Sequence, residues 1–139
     1  MKHHFADLLD REGDYWTVVP NMERYAFSLD QKILDSNKIK NVTISKQDKF
    51  WEQVFDFPNV EEITLHEPSK EQLKAIASFP QVKRLRLSHV RLKNIDFISE
   101  FQNLEECVFE YVSGFPDLKP FNKLTKLKSL HLENLRRVS

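Results

Sequence analysis

The sequence predicts an α/β fold of stacked repeats, with one layer of short parallel strands and one of helices or 3₁₀ turns. Two observations carry that prediction. The first is a strand pattern that recurs. Aligned on itself, the 139-residue chain gives a weak copy, IKNVTI, from Ile39, then VEEITL from Val60, VKRLRL from Val82, LEECVF from Leu104 and LKSLHL from Leu127, starting 21 to 23 residues apart. Each copy is apolar at its first, fourth and sixth places: Ile39/Val42/Ile44, Val60/Ile63/Leu65, Val82/Leu85/Leu87, Leu104/Cys107/Phe109 and Leu127/Leu130/Leu132. Alternation of that kind marks a strand with a buried face.

The second observation lies between the strands. Each interval carries apolar residues at helical spacing, followed in the first three by Phe and a polar residue or two: Phe50, Val54, Phe57, Pro58, Asn59; Leu73, Ile76, Phe79, Pro80, Gln81; Ile95, Ile98, Phe101, Gln102, Asn103; and Phe115, Leu118, Phe121, Leu124. Ser69 with Gln72 forms a capping box ahead of the second of these runs, and Ser45 with Asp48 is a looser match ahead of the first.

The first 38 residues lack the repeat. A short helix is expected over Phe5 to Leu9, closing near Gly13. Two alternating runs, Tyr15 to Val19 and Tyr25 to Leu29, flank Pro20-Asn21-Met22-Glu23 and read as a hairpin. The predicted organisation is therefore an N-terminal capping region over 1–38 and repeats over 39–139. After Leu132 only ENLRRVS follows, with no further helix in view. Either this tail folds over the end or the chain is truncated there; a third expectation is an open edge that pairs with a second copy or a partner.

The repeats resemble the leucine-rich-repeat family, whose unit reads L-x-x-L-x-L-x-x-N/C-x-L over roughly 20 to 29 residues. The resemblance covers residues 39 to 139. It implies a solenoid with short parallel strands on a concave face and helices or 3₁₀ turns on the convex face. The departure is at the ninth place, where the family often carries Asn or Cys bonded to the turn backbone. Here that place holds Gln47, Pro68, Val90, Val112 and Leu135, so the turn must be satisfied in another way. Cys107 fills an inward place and reads as a small buried hydrophobe.

The family geometry also implies which residues face outward. Two rows then alternate in sign from strand to strand: Glu62, Arg84, Glu106, and Glu61, Lys83, Glu105, Lys128. With strands about 4.8 Å apart, such rows fix register and stabilise the sheet by roughly 0.2–1 kcal/mol per pair. Residues that break the alternation, or carry large side chains suited to anchoring a partner, are the better candidates for binding. The candidate partner-binding set on the concave face is His66, Arg84, Arg86, His89, Val108, Glu110, Tyr111 and His131; Tyr and Arg are favoured anchors.

Composition narrows the function. Lys plus Arg equals Asp plus Glu at 21 each, and a nucleic-acid binder usually shows a basic surplus. The two glycines, Gly13 and Gly114, allow neither Gly-rich phosphate loop. The lone cysteine excludes an intrachain disulfide. No segment approaches the roughly 20 apolar residues of a membrane span, and the acidic N-terminal stretch does not suit a signal peptide, so a cytoplasmic home is expected. A zinc site from His66, His89, His131 and Glu110, or a Ser88–His89–Glu110 set, can be drawn, but neither has a spacing that implies convergence. The expected function is a non-catalytic module that binds another protein and needs no cofactor. One use is a dedicated inhibitor of one partner, like the small immunity proteins that neutralise toxins. The alternative is an adaptor, or a piece of a longer repeat protein, that assembles through the C-terminal edge.

Overall fold

The computed structural model describes residues 9–12, 15–18, 27–133 and 135, with side chains from Leu29 onward. Its main feature is one open, six-stranded, all-parallel sheet in strict sequence order: β3 (Phe27–Ser28), β4 (Asn41–Ser45), β5 (Glu62–His66), β6 (Arg84–Arg91), β7 (Glu106–Ser113) and β8 (Ser129–Glu133). Parallel neighbours need a crossover. Those between β4 and β8 run through the 3₁₀ segment Trp51–Asp56, the α-helix α1 (Lys70–Ala77), and the 3₁₀ segments Asp96–Glu100 and Lys119–Lys123.

Register follows the apolar alternation. The fourth places Val42, Ile63, Leu85, Cys107 and Leu130 pair in one line across the sheet, and the sixth places Ile44, Leu65, Leu87, Phe109 and Leu132 in another. From β4 to β7 these residues are 0–1% exposed. A one-residue slip would turn all of them outward, so burial of one face fixes the register. At the edge strand β8 the pattern weakens, and Leu130 is 37% exposed.

The crossovers close the core. Val54, Ile76 and Ile98 are fully buried. Phe57, Phe79 and Phe101 stand three residues before the repeat starts Val60, Val82 and Leu104, with Leu124 in the equivalent place before Leu127, and all four are buried. The peptide N–H at each of these places bonds the carbonyl three residues back, on Val54, Ile76, Ile98 and Phe121. Only one crossover is α-helical. KEQLKAIA is rich in strong helix formers and opens on a complete capping box: Ser69 Oγ accepts from the Gln72 N–H at 3.1 Å, and Gln72 Oε1 accepts from the Ser69 N–H at 2.9 Å. Gln72 Nε2 also donates to the Ser45 carbonyl at 2.9 Å, tying α1 to β4. The Trp51–Asp56 and Asp96–Glu100 segments carry aromatic and β-branched residues, Lys119–Lys123 carries Pro120, and all three stay 3₁₀. Ser45 and Asp48 do bond, through Asp48 Oδ2 accepting from the Ser45 N–H at 2.9 Å, but they close a turn rather than cap an α-helix.

A ladder of side-chain amides locks each repeat to the one before. The residue just ahead of each of the repeat starts Val60, Val82 and Leu104 donates backward to a carbonyl: Asn59 Nδ2 to Asn37, Gln81 Nε2 to Phe57 and Val60, and Asn103 Nδ2 to Pro80, at 2.7–3.1 Å. Lys126 holds the same place in the last repeat and donates to Asn103 Oδ1 at 2.8 Å.

The N-terminal region departs from the expected hairpin. The strand β1 (Leu9–Glu12) pairs antiparallel with β2 (Tyr15–Val18), while Phe27–Ser28 pairs parallel with Val42–Thr43 of β4. The run at Tyr15 therefore folds back on the segment before it, and the later run joins the main sheet. Leu9, expected at a helix end, opens a strand, and residues 5–8 of that expected helix lie outside the described residues. No described helix is long and apolar enough to cross a membrane.

Candidate functional site

Outward-facing residues of the sheet fall into rows set by the same register. Asn41, Glu62, Arg84, Glu106 and Ser129 form one; Thr43, Thr64, Arg86, Val108 and His131 the next; Ser45, His66, Ser88, Glu110 and Glu133 a third. The charge alternation becomes ion pairs. Arg84 reaches Glu62 at 3.2 Å and Glu61 at 3.3 Å, Lys83 reaches Glu61 at 3.5 Å, and Lys128 reaches Glu105 at 3.6 Å. Burial acts to raise the Glu61 pKa, but Lys83 and Arg84 together outweigh it and hold the carboxyl below its ordinary range.

The middle of this face is closed. Thr43, Thr64, Arg86, Ser88 and Val108 are all at most 3% exposed. Arg86 donates from Nη2 to Glu110 Oε2 at 2.6 Å. Burial lowers the pKa of the guanidinium, and the carboxylates of Glu110, Glu133 and Glu62 oppose that fall; an arginine so placed still carries its charge.

The open part lies where β5, β6 and β7 approach their carboxyl ends. The rings of His66 and His89 meet edge-on with centroids 4.9 Å apart, and His89 stacks on Tyr111 at 4.7 Å and 25°. Tyr111 is 50% exposed. Ser88 Oγ and His66 Nδ1 share a hydrogen bond of 2.9 Å, which orients the first imidazole. Because Ser88 is fully buried, its hydroxyl is not presented to a substrate.

The backbone explains why the rings project. The eighth places Glu67, His89 and Tyr111 all have left-handed backbone, at φ 47°, 55° and 54°. Such a conformation is sparse for residues other than glycine and costs about 1–3 kcal/mol. At His89 and Tyr111 the ladder is interrupted at the same place in both strands, with no extra residue on either side. Pairing resumes beyond it, Val90 with Val112 and Arg91 with Ser113, and the Glu67 N–H bonds the Ser88 carbonyl at 3.0 Å.

The eight residues picked out in the sequence thus separate. His66, His89 and Tyr111 come together in an open ring row. Arg86 and Glu110 form a pair below it, and Val108 is buried beside Arg86 in its row. Arg84 belongs to the ion-pair ladder, and His131 lies on the edge strand, 3.4 Å from Glu133. Two features escaped sequence reasoning. The left-handed places have little local signal: His is enriched in that region, but Glu and Tyr do not announce it. The amide ladder does have one, an Asn or Gln directly before three successive repeat starts. Among the described residues no three His, Cys, Asp or Glu gather closely enough to hold a metal ion. Cys107 is buried in the core, and burial pushes its thiol pKa far up.

Comparison with protein-family models, curated proteins and solved structures gave no match.

Proposed function

We propose that this chain is a non-catalytic protein-binding module, a leucine-rich-repeat solenoid that grips one partner protein through the ring row His66–His89–Tyr111. The repeat reading rests on the 21-to-23-residue spacing and on the in-register apolar lines that accompany it. The binding reading rests on one observation. Three consecutive repeats hold a non-glycine residue in left-handed backbone at the same place, and two of these present exposed rings stacked at 4.7 Å. Backbone strain that persists at a surface is a pointer to function, and a rigid, half-exposed tyrosine is a favoured anchor. A small module with one such row suits a dedicated inhibitor in a cytoplasmic setting, of the immunity-protein kind, by analogy of size and fold alone.

A second reading has its own observation. Leu130 is 37% exposed at an inward place where its counterparts are buried, so β8 offers an edge for assembly, and an adaptor would use it. The experiment that tests the main reading retains proteins on wild-type bait beside a His89→Ala/Tyr111→Ala bait, then titrates the retained protein against each purified chain. One protein bound at 1:1 by the wild type and lost by a folded variant supports the ring row. Equal binding to both removes it, and concentration-dependent dimers of the chain alone would favour the edge.

A further inference from the structure

A cleft of about 790 Å³ opens between α1, the segment that leaves β6, and the 3₁₀ helix Asp96–Glu100. That is the size of cavities that take small organic ligands, which run from roughly 300 to 1,000 Å³. Its apolar lining comes from Leu73, Leu92 and Phe97, and its cations are Lys70, Lys74, Arg91 and Lys93. The four cations are exposed, and among the described residues none of them makes an ion pair. The contrast with the strand rows is sharp, where Lys83, Arg84, Arg86 and Lys128 each find a carboxylate. Lys70 and Lys74 stand four apart on one helix, a like-charge spacing that destabilises the helix. Asp96 and Glu100 are the carboxylates of the lining, so four cations face two anions.

Gly114 closes one end. Its φ of +94° and a built Cβ only 2.6 Å from the Leu92 carbonyl oxygen admit no other residue without a shift. The Leu92 N–H meanwhile bonds the Ser113 carbonyl at 2.8 Å. The strand exits are thereby held tight against each other beneath the Arg91 side chain, whose Cγ would lie 3.1 Å from that Cβ.

We infer that this cleft binds a small amphiphilic organic anion, with its apolar body against Leu73, Leu92 and Phe97 and its acidic head among Lys70, Lys74, Arg91 and Lys93. The site is separate from the ring row and does not depend on it. A buried apolar body supplies affinity, and the unpaired cations supply the requirement for charge.

The test titrates the full chain with 8-anilinonaphthalene-1-sulfonate and, in parallel, with N-phenyl-1-naphthylamine, which has the same rings and no sulfonate. A Lys74→Gln/Lys93→Gln variant, expected to melt with the wild type because both side chains are exposed, runs beside it. The expected result is a single saturable, blue-shifted site in the wild type, weakened at least tenfold in the variant and at least tenfold weaker for the neutral probe. A Phe97→Ala variant that still melts cooperatively should weaken both probes. The inference is overturned if the sulfonate does not saturate, if the lysine variant binds it as well as the wild type does, or if the neutral probe binds equally.

Discussion

Replacing Glu110 by Gln isolates the closed centre of the outward face. Arg86 is 3% exposed and Glu110 18%, with 2.6 Å between their charged atoms. Breaking a buried pair from one side costs about 3–5 kcal/mol when the remaining charge is left uncompensated, whereas Glu62 and Glu133 still act on Arg86. With those carboxylates present and water reaching part of Glu110, the cost falls below that range, at about 2–3 kcal/mol. Unfolding entropy near 2.1 cal/mol/K per residue turns that into a fall in Tm of roughly 7–10 °C for a chain of this length. Replacing both partners, as Arg86→Met/Glu110→Leu, removes the charge together with its partner, and well-packed apolar replacements of buried pairs are often neutral. The double variant should therefore melt closer to the wild type than Glu110→Gln does. Thermal and urea unfolding of the wild type, both single variants and the double variant give the coupling energy directly. A Glu110→Gln cost below about 0.5 kcal/mol, or a double variant no better than that single one, refutes the claim that the pair is buried and mutually dependent.

Three further outcomes follow from the same geometry. Gln81→Ala removes two bonds to backbone carbonyls and should cost about 1–2 kcal/mol, read as a lower urea midpoint with an unchanged slope. Glu67→Gly places glycine where the backbone is already left-handed, at φ 47°, and should raise the unfolding free energy by up to about 1 kcal/mol, read from urea unfolding; a loss of stability would contradict the strain. Glu61 has its folded pKa held below the ordinary 4.5, so its contribution is present above the unfolded value and disappears as pH falls through the folded one. The Tm gap between wild type and Glu61→Gln should shrink on acidification below about pH 4.5, and it should be small at every pH because the side chain is 44% exposed and surface pairs contribute little.

The strand register was legible because one buried face admits only one phase, and the fourth and sixth places supplied it in every repeat. The capping box was legible because Ser69 and Gln72 act locally, at fixed spacing, with no help from the rest of the fold. The partner of the run at Tyr25 was not. Alternation marks a strand, and it reads the same whether that strand closes a hairpin or lies parallel to its neighbour, as Phe27 does beside Val42. Nor was the division of the candidate site legible. Arg86 and Val108 occupy outward places like those of exposed residues elsewhere, and only tertiary packing decides that they are buried. The exposed rings of His89 and Tyr111 sit on left-handed backbone, beyond which β6 and β7 stay paired, and that conformation was not legible from residue type. The amide ladder was the one missed feature with a readable pattern, since Asn59, Gln81 and Asn103 recur at a 22-residue step.

The central claim is that the stacked rings of His89 and Tyr111 anchor a partner. The most direct measurement is calorimetric titration of the captured partner into wild-type chain and into His89→Ala/Tyr111→Ala, with matched melting curves. Losing a central aromatic anchor costs about 2 kcal/mol or more, so the account predicts affinity at least roughly 30-fold weaker in the variant. Equal affinity in two equally folded proteins would contradict it.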